Sequence, residues 1–549
     1  MAAFSTLSTT FQPKIPPKYY RILLCQIKKQ FKRVFFIDLP GFLMPLFFLV
    51  QINIFDLVKW AGKSSSVPID KFEFGKTLKK DQQLGKRTDS VYKVRVNSET
   101  SVFAQPYKSS PVGTLYPSST DYDAYQALPS DSMGIQWLNL GKGYWVEWGS
   151  NVTVLERQVR CLWWIHIDGE EEGDSSGTSV SLSSDGSRVA IGAHLNGAYN
   201  STGHVRIYDY NGSSWAQVGA DIDGETLGGH TGEVSISSDG SRVAVGAGQA
   251  AQSVRGQVIM YDFNGTAWLK VGANIVGESI GDRSGAGGLS LSSDGSRVAI
   301  GASSNDGNGS NSGHVRVFQY QVISGTATWT QLGADIDGEA ANDSFGTGLT
   351  LSSDGSRVAI GAAANDGNGS DSGHVRIYDY NGSAWVQVGG DIDGEAAGDR
   401  SGGSVSLSSD GSRVAIGANR NDAGGDNSGH VRIYDYNGSA WVQVGADIDG
   451  EAAGDNSGRS VSLSTDGSRV AIGGYLNDAG GDDAGHVRIY NYNGSAWVQV
   501  GTDIDGEAAG DNSGRAVQIS SDGTRVAIGA RNNDGANGAD SGHVRVYSI

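Results

Sequence analysis

Carboxylate and amide side chains recur in two loops of a segment that repeats through residues 161–549. In Asn365–Asp371 they alternate with glycine, so side-chain and carbonyl oxygens can curve tightly around one point. Such oxygens suit a hard divalent cation, and we predict weak calcium binding with no cofactor required. The predicted ligands are Asp306, Asn308, Asp366, Asn368, Asp371, Asp422, Asp426, Asp478, Asp482, Asp534 and Asn537. Solvated turns are the alternative.

The second acidic loop connects one repeat to the next, and it is exemplified by Asp447, Asp449, Glu451 and Asp455. If each repeat is an antiparallel sheet, both loops lie on the same rim. Of the eight acidic residues from position 447 to 502, only Asp466 falls outside these loops. We therefore expect one strongly negative face.

Histidine opens the third strand of most repeats, directly after the acidic loop. The positions are His204, His314, His374, His430, His486 and His543. A shared zinc site would need all its ligands within roughly 2 Å of one ion, which residues on separate repeats cannot provide. We expect each histidine to donate a hydrogen bond to its own loop instead.

Tryptophan begins the fourth strand of six repeats. The positions are Trp215, Trp268, Trp329, Trp385, Trp441 and Trp497. A ring of aromatic ligand-binding residues is conceivable, but packing between neighbouring repeats requires one tryptophan in each and a ligand does not. We expect packing.

Motifs for catalysis are missing from the sequence. It has no Ser-His-Asp order, phosphate loop or metal-binding helix motif, and a single catalytic site would have to break the symmetry of the repeats. The first two repeats diverge most, with Ala193–Ala198 and Ala247–Ala251 replacing the aspartate-containing loop. We predict a non-enzymatic protein and expect any specific site in those two repeats.

The repeat itself is defined by the turn Ser/Thr-Asp-Gly-Ser/Thr-Arg-Val-Ala. Its aspartates are Asp185, Asp239, Asp294, Asp354, Asp410, Asp466 and Asp522. Each copy holds four β-type runs, which is the content of one propeller blade. Asn-Gly pairs such as Asn437-Gly438 predict type I′ hairpins between the third and fourth strands. The third copy carries four extra residues around Val322–Gly325, which we interpret as a loop insertion.

Closure of the ring can also be predicted. The last copy stops after its third strand, at Ile549, whereas Cys161–Glu170 aligns with a fourth strand and its exit. One strand from upstream should therefore complete the last blade and remove both exposed edges. The predicted fold is all-β, a seven-bladed β-propeller of four-stranded antiparallel blades over residues 161–549.

Composition divides the 549-residue chain further. Residues 1–90 hold 15 Lys and Arg against 6 Asp and Glu, a net charge of +9. Since the whole chain has a net charge of −18, the remaining residues carry −27. We predict a basic region over 1–33, a signal-anchor or signal peptide over 34–58 and a linker over 59–90; the alternative for 34–58 is a mispredicted leader. Two cysteines exclude a disulfide framework.

Residues 91–156 form short alternating runs that predict a small β-barrel-like domain. The order Gly113–Leu115, Trp137–Leu140 and Gly141–Val146 resembles the bacterial type of Src-homology-3-like domain. That resemblance implies recognition of peptides or cell-wall material, while aromatic residues serving only as core are the alternative.

The repeats resemble the FG-GAP repeats of integrin alpha-subunit propellers through Phe345-Gly346, Leu349–Leu351, Val358–Ala362 and Gly373–Tyr378. The resemblance implies a seven-bladed propeller and a calcium loop between the first and second strands. That loop is missing here, because Val470 stands in place of its last aspartate. Only the fourth copy keeps Phe-Gly.

Three functions remain open. We favour a non-catalytic, adhesion-type propeller that is either membrane-anchored in type II orientation or secreted. We expect it to be a monomer that recognises a protein or glycan and binds no nucleic acid. An intracellular (cytoplasmic) interaction scaffold is the alternative, followed by a lyase or hydrolase that uses the centre of the disc. Sequons such as Asn151–Thr153 are compatible with secretion.

Overall fold

The computed structural model describes residues 166–549, apart from 198–200, 249–254 and 536, and the backbone of eight strands between 90 and 159. The chain divides into two compact units, Met1–Cys161 and Leu162–Ile549. The predicted basic region, hydrophobic segment and linker lie outside the described residues. Among the described residues, none belongs to a helix with the length and apolar character needed to cross a membrane.

Strands of the first unit form two antiparallel sheets, ordered β4-β1-β8 and β3-β2-β7-β6-β5. Their bounds are β1 Ser90–Val96, β2 Thr100–Phe103, β3 Gly113–Leu115, β4 Tyr122–Ala124, β5 Gln126–Leu128, β6 Gln136–Asn139, β7 Trp145–Trp148 and β8 Val152–Val159. The segment predicted as a small β domain is therefore built of strands.

The second unit consists of seven antiparallel sheets, one for each sequence repeat, and the seven-bladed propeller is confirmed. The closing strand is β9 His166–Asp168. Blades one to three contain β10 Ser176–Leu182, β11 Arg188–Ala193, β12 His204–Tyr210, β13 Trp215–Gln217, β14 Ile222–Asp223; β15 Thr231–Ile236, β16 Arg242–Ala247, β17 Gln257–Phe263, β18 Trp268–Lys270, β19 Ile275–Val276; β20 Leu289–Leu291, β21 Arg297–Ala302, β22 His314–Ile323, β23 Thr326–Gln331 and β24 Ile336–Asp337.

Blades four to seven repeat this order. They contain β25 Phe345–Leu351, β26 Arg357–Ala362, β27 His374–Tyr380, β28 Trp385–Gln387, β29 Ile392–Asp393; β30 Ser404–Leu407, β31 Arg413–Ala418, β32 His430–Tyr436, β33 Trp441–Gln443, β34 Ile448–Asp449; β35 Ser457–Leu463, β36 Arg469–Gly474, β37 His486–Tyr492, β38 Trp497–Gln499, β39 Ile504–Asp505; β40 Ala516–Ile519, β41 Arg525–Ala530 and β42 His543–Ser548. In blades one to six the fourth strand is split in two, and both pieces pair with the third strand.

The last blade is completed by β9, as the sequence predicts. Residues Asp168, Ile167 and His166 pair antiparallel with His543, Val544 and Arg545 of β42. Ile167 lies in the core between the last and first blades and is 5% exposed. The segment upstream of the first repeat therefore closes the ring.

The hairpins differ from the predicted type. Tyr436 pairs with Trp441, so the loop has four residues, and only Gly438 in it has a positive φ. The Asn437 side chain accepts hydrogen bonds from two backbone N–H groups of the loop, which stabilises this longer turn.

The predicted two-residue turn occurs in the third blade instead, at Ser324-Gly325. Both residues have positive φ, at 52° and 81°. The extra residues of this copy therefore extend a hairpin rather than a loop, and the loop-insertion interpretation was wrong.

Neighbouring blades are joined through arginine at the start of each second strand. Arg413 binds Asp435 of its own blade through two hydrogen bonds of 2.6 and 2.7 Å. It also donates to the carbonyl of Gly467 in the next blade, at 2.8 Å, and lies 5.0 Å from the centre of the Tyr492 ring. Arg525 makes the equivalent bond to Gly186 across the closure, at 2.7 Å.

Tryptophan completes the interface, as predicted. Trp441 packs against the core shared by the fourth and fifth blades and donates its ring N–H to the carbonyl of Val388, at 2.9 Å. Equivalent bonds are made by Trp268, Trp329, Trp385 and Trp497. The tryptophans are thus explained by packing.

Candidate functional site

One rim of the propeller carries the loops between second and third strands together with those that connect blades. Asn368 donates from its side chain to the carbonyls of Gly394 and Glu395, both at 2.9 Å, which places the two loops side by side. The predicted calcium ligands all lie in these second-to-third loops. The shared rim is as the sequence predicts.

Most of those ligands already stabilise their own loops. Asp366 accepts a hydrogen bond from the N–H of Asp371 at 2.8 Å, and Asp371 has a φ of 52°. The same bond is made by Asp306, Asp422, Asp478 and Asp534. Asp426 accepts from the Asn427 amide, and the Asp482 carbonyl accepts from Gly510. Calcium binding stays a prediction.

Three of the predicted amide ligands direct their N–H groups toward carbonyls of the adjoining loop. They are Asn308, Asn368 and Asn537. An amide used in this way joins two loops through its nitrogen, while its oxygen, the atom that could bind calcium, takes no part in that bond. The amides and the carboxylates therefore both stay predicted ligands.

Each rim histidine faces carboxylates rather than its own loop. His430 is fully buried, and its Nδ1 lies 3.8 Å from Glu395, in the loop that enters its blade. This distance exceeds that of a hydrogen bond, and Nδ1 has no hydrogen-bond partner. Asp447 completes the group, whose ligand atoms lie within 4.8 Å of one another. The prediction that each histidine donates a hydrogen bond to its own loop was therefore wrong.

The central channel is lined by the first strands and is polar. At the end formed by the Ser-Asp-Gly turns, the backbone N–H of Ser409 donates to the carbonyl of Thr465 at 2.9 Å. Equivalent bonds run from each blade to the next and return from Ser521 to Ser184, so they form a closed ring. The cavity at this narrow end measures about 170 Å³.

The opposite, wide end of the channel opens on the acidic rim and holds a cavity of about 410 Å³. Here the sevenfold pattern breaks. The residue that follows Ser/Thr-Gly in the first strand is Glu233 in the second blade, Arg459 in the sixth and Arg515 in the seventh. The residue that follows the second strand is His194 in the first blade and Arg531 in the seventh.

Glu233 is the one carboxylate among the residues that line this cavity with the three arginines. Among the described residues, no Asp or Glu forms an ion pair with Arg459, Arg515 or Arg531, and the Nε of Arg531 is buried without a hydrogen bond. Arg515 lies 5.2 Å from the centre of the Tyr475 ring. The wide end is therefore positive at the centre of a negative face.

Burial dominates the pKa shifts in this cavity, and like charges add to those of Arg515 and His194. Burial, together with the charges of Arg459 and Arg531, lowers the pKa of Arg515 to about 10. Burial also lowers the pKa of His194 to about 4, with Arg531 contributing next. Burial raises the pKa of Glu233 to about 7, although its bond to Ser179 and the arginines act in the opposite direction.

This cationic site is only partly predictable from the sequence. We expected a specific site in the first two blades, and His194, His230 and Glu233 do line the cavity. The arginines come from the sixth and seventh blades, which look regular. Comparing copies at the position after the glycine of the first strand, which follows Ser, Thr or, in the fourth copy, Phe, would have revealed them, because the seven residues there are Thr, Glu, Ala, Thr, Gly, Arg and Arg.

No family model matches the sequence, so the resemblances to FG-GAP repeats and to the Src-homology-3-like domain are not confirmed, and no curated protein matches. Among solved structures, Kuenenia stuttgartiensis hydrazine synthase has a TM-score of 0.45 and 14% identity, covering 70% of this chain and 98% of that one. A putative 6-phosphogluconolactonase from Bacteroides uniformis has a TM-score of 0.44 and 12% identity, covering 76% and 97%. Similarities this low carry no functional argument.

Proposed function

We propose that this chain is a non-catalytic recognition propeller that binds a protein or glycan partner on the rim with the acidic loops. An anionic group of the partner enters the wide end of the channel. The observation that carries this proposal is the convergence of Arg459, Arg515 and Arg531 on one cavity, whose single lining carboxylate, Glu233, forms no ion pair with them. An oxyanion would relieve their mutual repulsion and accept their hydrogen bonds.

The surrounding rim supports a selective contact. Leu227 and Ile280 project from neighbouring inter-blade loops with 69% and 62% of their surface exposed, where later copies have alanine. Val276 replaces the usual aspartate of the fourth strand and is also exposed. A partner with one anionic group and an adjoining apolar surface fits this arrangement, while the acidic loops repel more highly charged anions.

Binding can be tested with the full chain and a panel of oligosaccharides that carry carboxylate, sulfate or phosphate groups, beside neutral ones. We expect the anionic members to bind and Arg515→Ala to weaken them about 10-fold or more, since a charged hydrogen bond contributes roughly 1.5–3 kcal/mol. Arg420→Ala, at an exposed rim position, changes the net charge equally and is the control. Equal effects of the two substitutions would contradict the proposal.

A lyase or hydrolase centred on Glu233 is the second candidate, because a carboxyl with a pKa of about 7 suits general acid-base catalysis. Turnover of a bound oligosaccharide that is lost in Glu233→Gln would favour this candidate. Unchanged oligosaccharide after prolonged incubation would favour binding alone.

The location proposed for the propeller is outside the cell, through residues 34–58 as a membrane anchor or cleaved signal. Their hydrophobic character and the preceding basic residues support this proposal. A carboxyl-terminal tag reached by antibody on intact cells, or found in the medium, is the expected result. A tag reached only after permeabilisation would favour the cytoplasmic scaffold.

A further inference from the structure

The ring closure contains a group of side chains found in no other described blade. His166, in β9, occupies the position held by aspartate in the same strand of most blades, as at Asp447 of the fifth. It lies beside His543, the rim histidine of the last blade. Asp168 and the inter-blade residue Glu507 lie next to this pair.

The geometry of the two histidines matches a metal-binding pair. Their Nδ1 atoms are 3.4 Å apart, and the Nδ1 of His543 lies 3.9 Å from a Glu507 oxygen. Two nitrogens each about 2.0–2.1 Å from a tetrahedral zinc ion are separated by roughly 3.4 Å. Asp168 forms a group with the two histidines, and the ligand atoms of these three residues all lie within 4.8 Å of one another.

Burial and access both suit a bound ion. His543 is 1% exposed, so the protein shields a bound ion from solvent on that side. The side chains of His166 and Glu507 are each 34% exposed, and Glu507 also approaches the Nε2 of His166 at 3.5 Å, so solvent reaches the group from the rim.

We propose that His166, His543, Glu507 and Asp168 form a binding site for a zinc-class divalent ion that fastens the upstream strand to the last blade. Two imidazole nitrogens favour zinc over calcium, which takes oxygen ligands. The ligands come from β9, β42 and the loop before β40. Binding therefore joins both ends of the propeller and stabilises the closed ring.

The direct test is to treat the full chain with chelator and then titrate it with zinc in an isothermal calorimeter. We expect one tight site per chain and visible absorption typical of tetrahedral coordination when cobalt replaces zinc. His166→Asp places at this position the residue found in most other blades, and it should lower the affinity for zinc by at least about 100-fold. Loss of a residue that only supports a ligand already lowers metal affinity by up to about 100-fold. Unchanged affinity, or equal affinity for calcium, would overturn the proposal.

A second variant keeps the test decisive if His166→Asp fails to fold. Asp447→His in the fifth blade reproduces the histidine pair beside His430 and Glu395, away from the closure. We expect it to add a second zinc site and a second equivalent of cobalt absorption. A folded Asp447→His chain with the same zinc stoichiometry as the parent would contradict the proposed ligand geometry.

Discussion

Removal of the closing strand should destabilise the whole propeller. Deleting residues 1–168 leaves the last blade with three strands and removes Ile167 from the core between blades. It also removes the Asp168 carbonyl, which accepts a hydrogen bond from Arg206 of the first blade at 2.7 Å. Deleting residues 1–155 keeps all of these contacts and is the matched control.

The cost can be worked from these contacts. Burial of Ile167 contributes about 2–3 kcal/mol, and each hydrogen bond about 1 kcal/mol net, with more for the bond from a charged arginine. With the backbone pairing of three residues, the loss is on the order of 5 kcal/mol, a third or more of the usual net stability of a domain. The exposed edge of β42 should also promote association between chains.

Urea unfolding followed by tryptophan fluorescence, with size-exclusion chromatography for association, measures both effects. We expect the 169–549 chain to unfold at a clearly lower urea concentration, over a broader transition, than the 156–549 chain. Equal midpoints and equal elution would refute the conclusion that β9 closes the ring.

Three further predictions concern packing, titration and metal. Gly361→Ala should destabilise the propeller severely, because the added Cβ would lie 1.9 Å from the carbonyl oxygen of Gly402 in the next blade. Gly390→Ala is the control and should be neutral, because the space around Gly390 is open and its φ is ordinary. Thermal unfolding of the two variants measures the difference. In the folded protein the pKa of Glu233 is about 7, above the ordinary 4.5, so the free energy of unfolding falls as pH rises between these values. Glu233→Gln removes this titration. The difference in unfolding free energy between variant and parent should therefore grow by roughly 3 kcal/mol, in favour of the variant, from pH 4 to pH 8. Calcium should raise the melting temperature at low salt relative to chelator if the acidic loops bind it; identical melts would mean a solvated acidic surface.

Much of the fold could be predicted because each repeat specifies it locally. The Ser-Asp-Gly turns behave as expected: Asp466 accepts bonds from Ser464 and Ser468. Partial burial acts to raise the pKa of Asp466, but these bonds prevail and hold it below its usual value. The tryptophan that begins the fourth strand in six of the seven copies also determines the packing between blades. Turn type was less predictable, since an asparagine side chain can stabilise several loop lengths and only the strand register selects one.

The candidate site depended on something no single repeat contains. The sequence by itself determined the number of blades, the acidic rim and the borrowed strand, because these follow from local hydrogen bonding, strand period and the missing fourth strand of the last copy. Only the tertiary structure brought Arg459, Arg515 and Arg531 together with Glu233, and His166 next to His543. These residues are separated by tens to hundreds of positions along the chain, and ring closure places them around one cavity or across one seam.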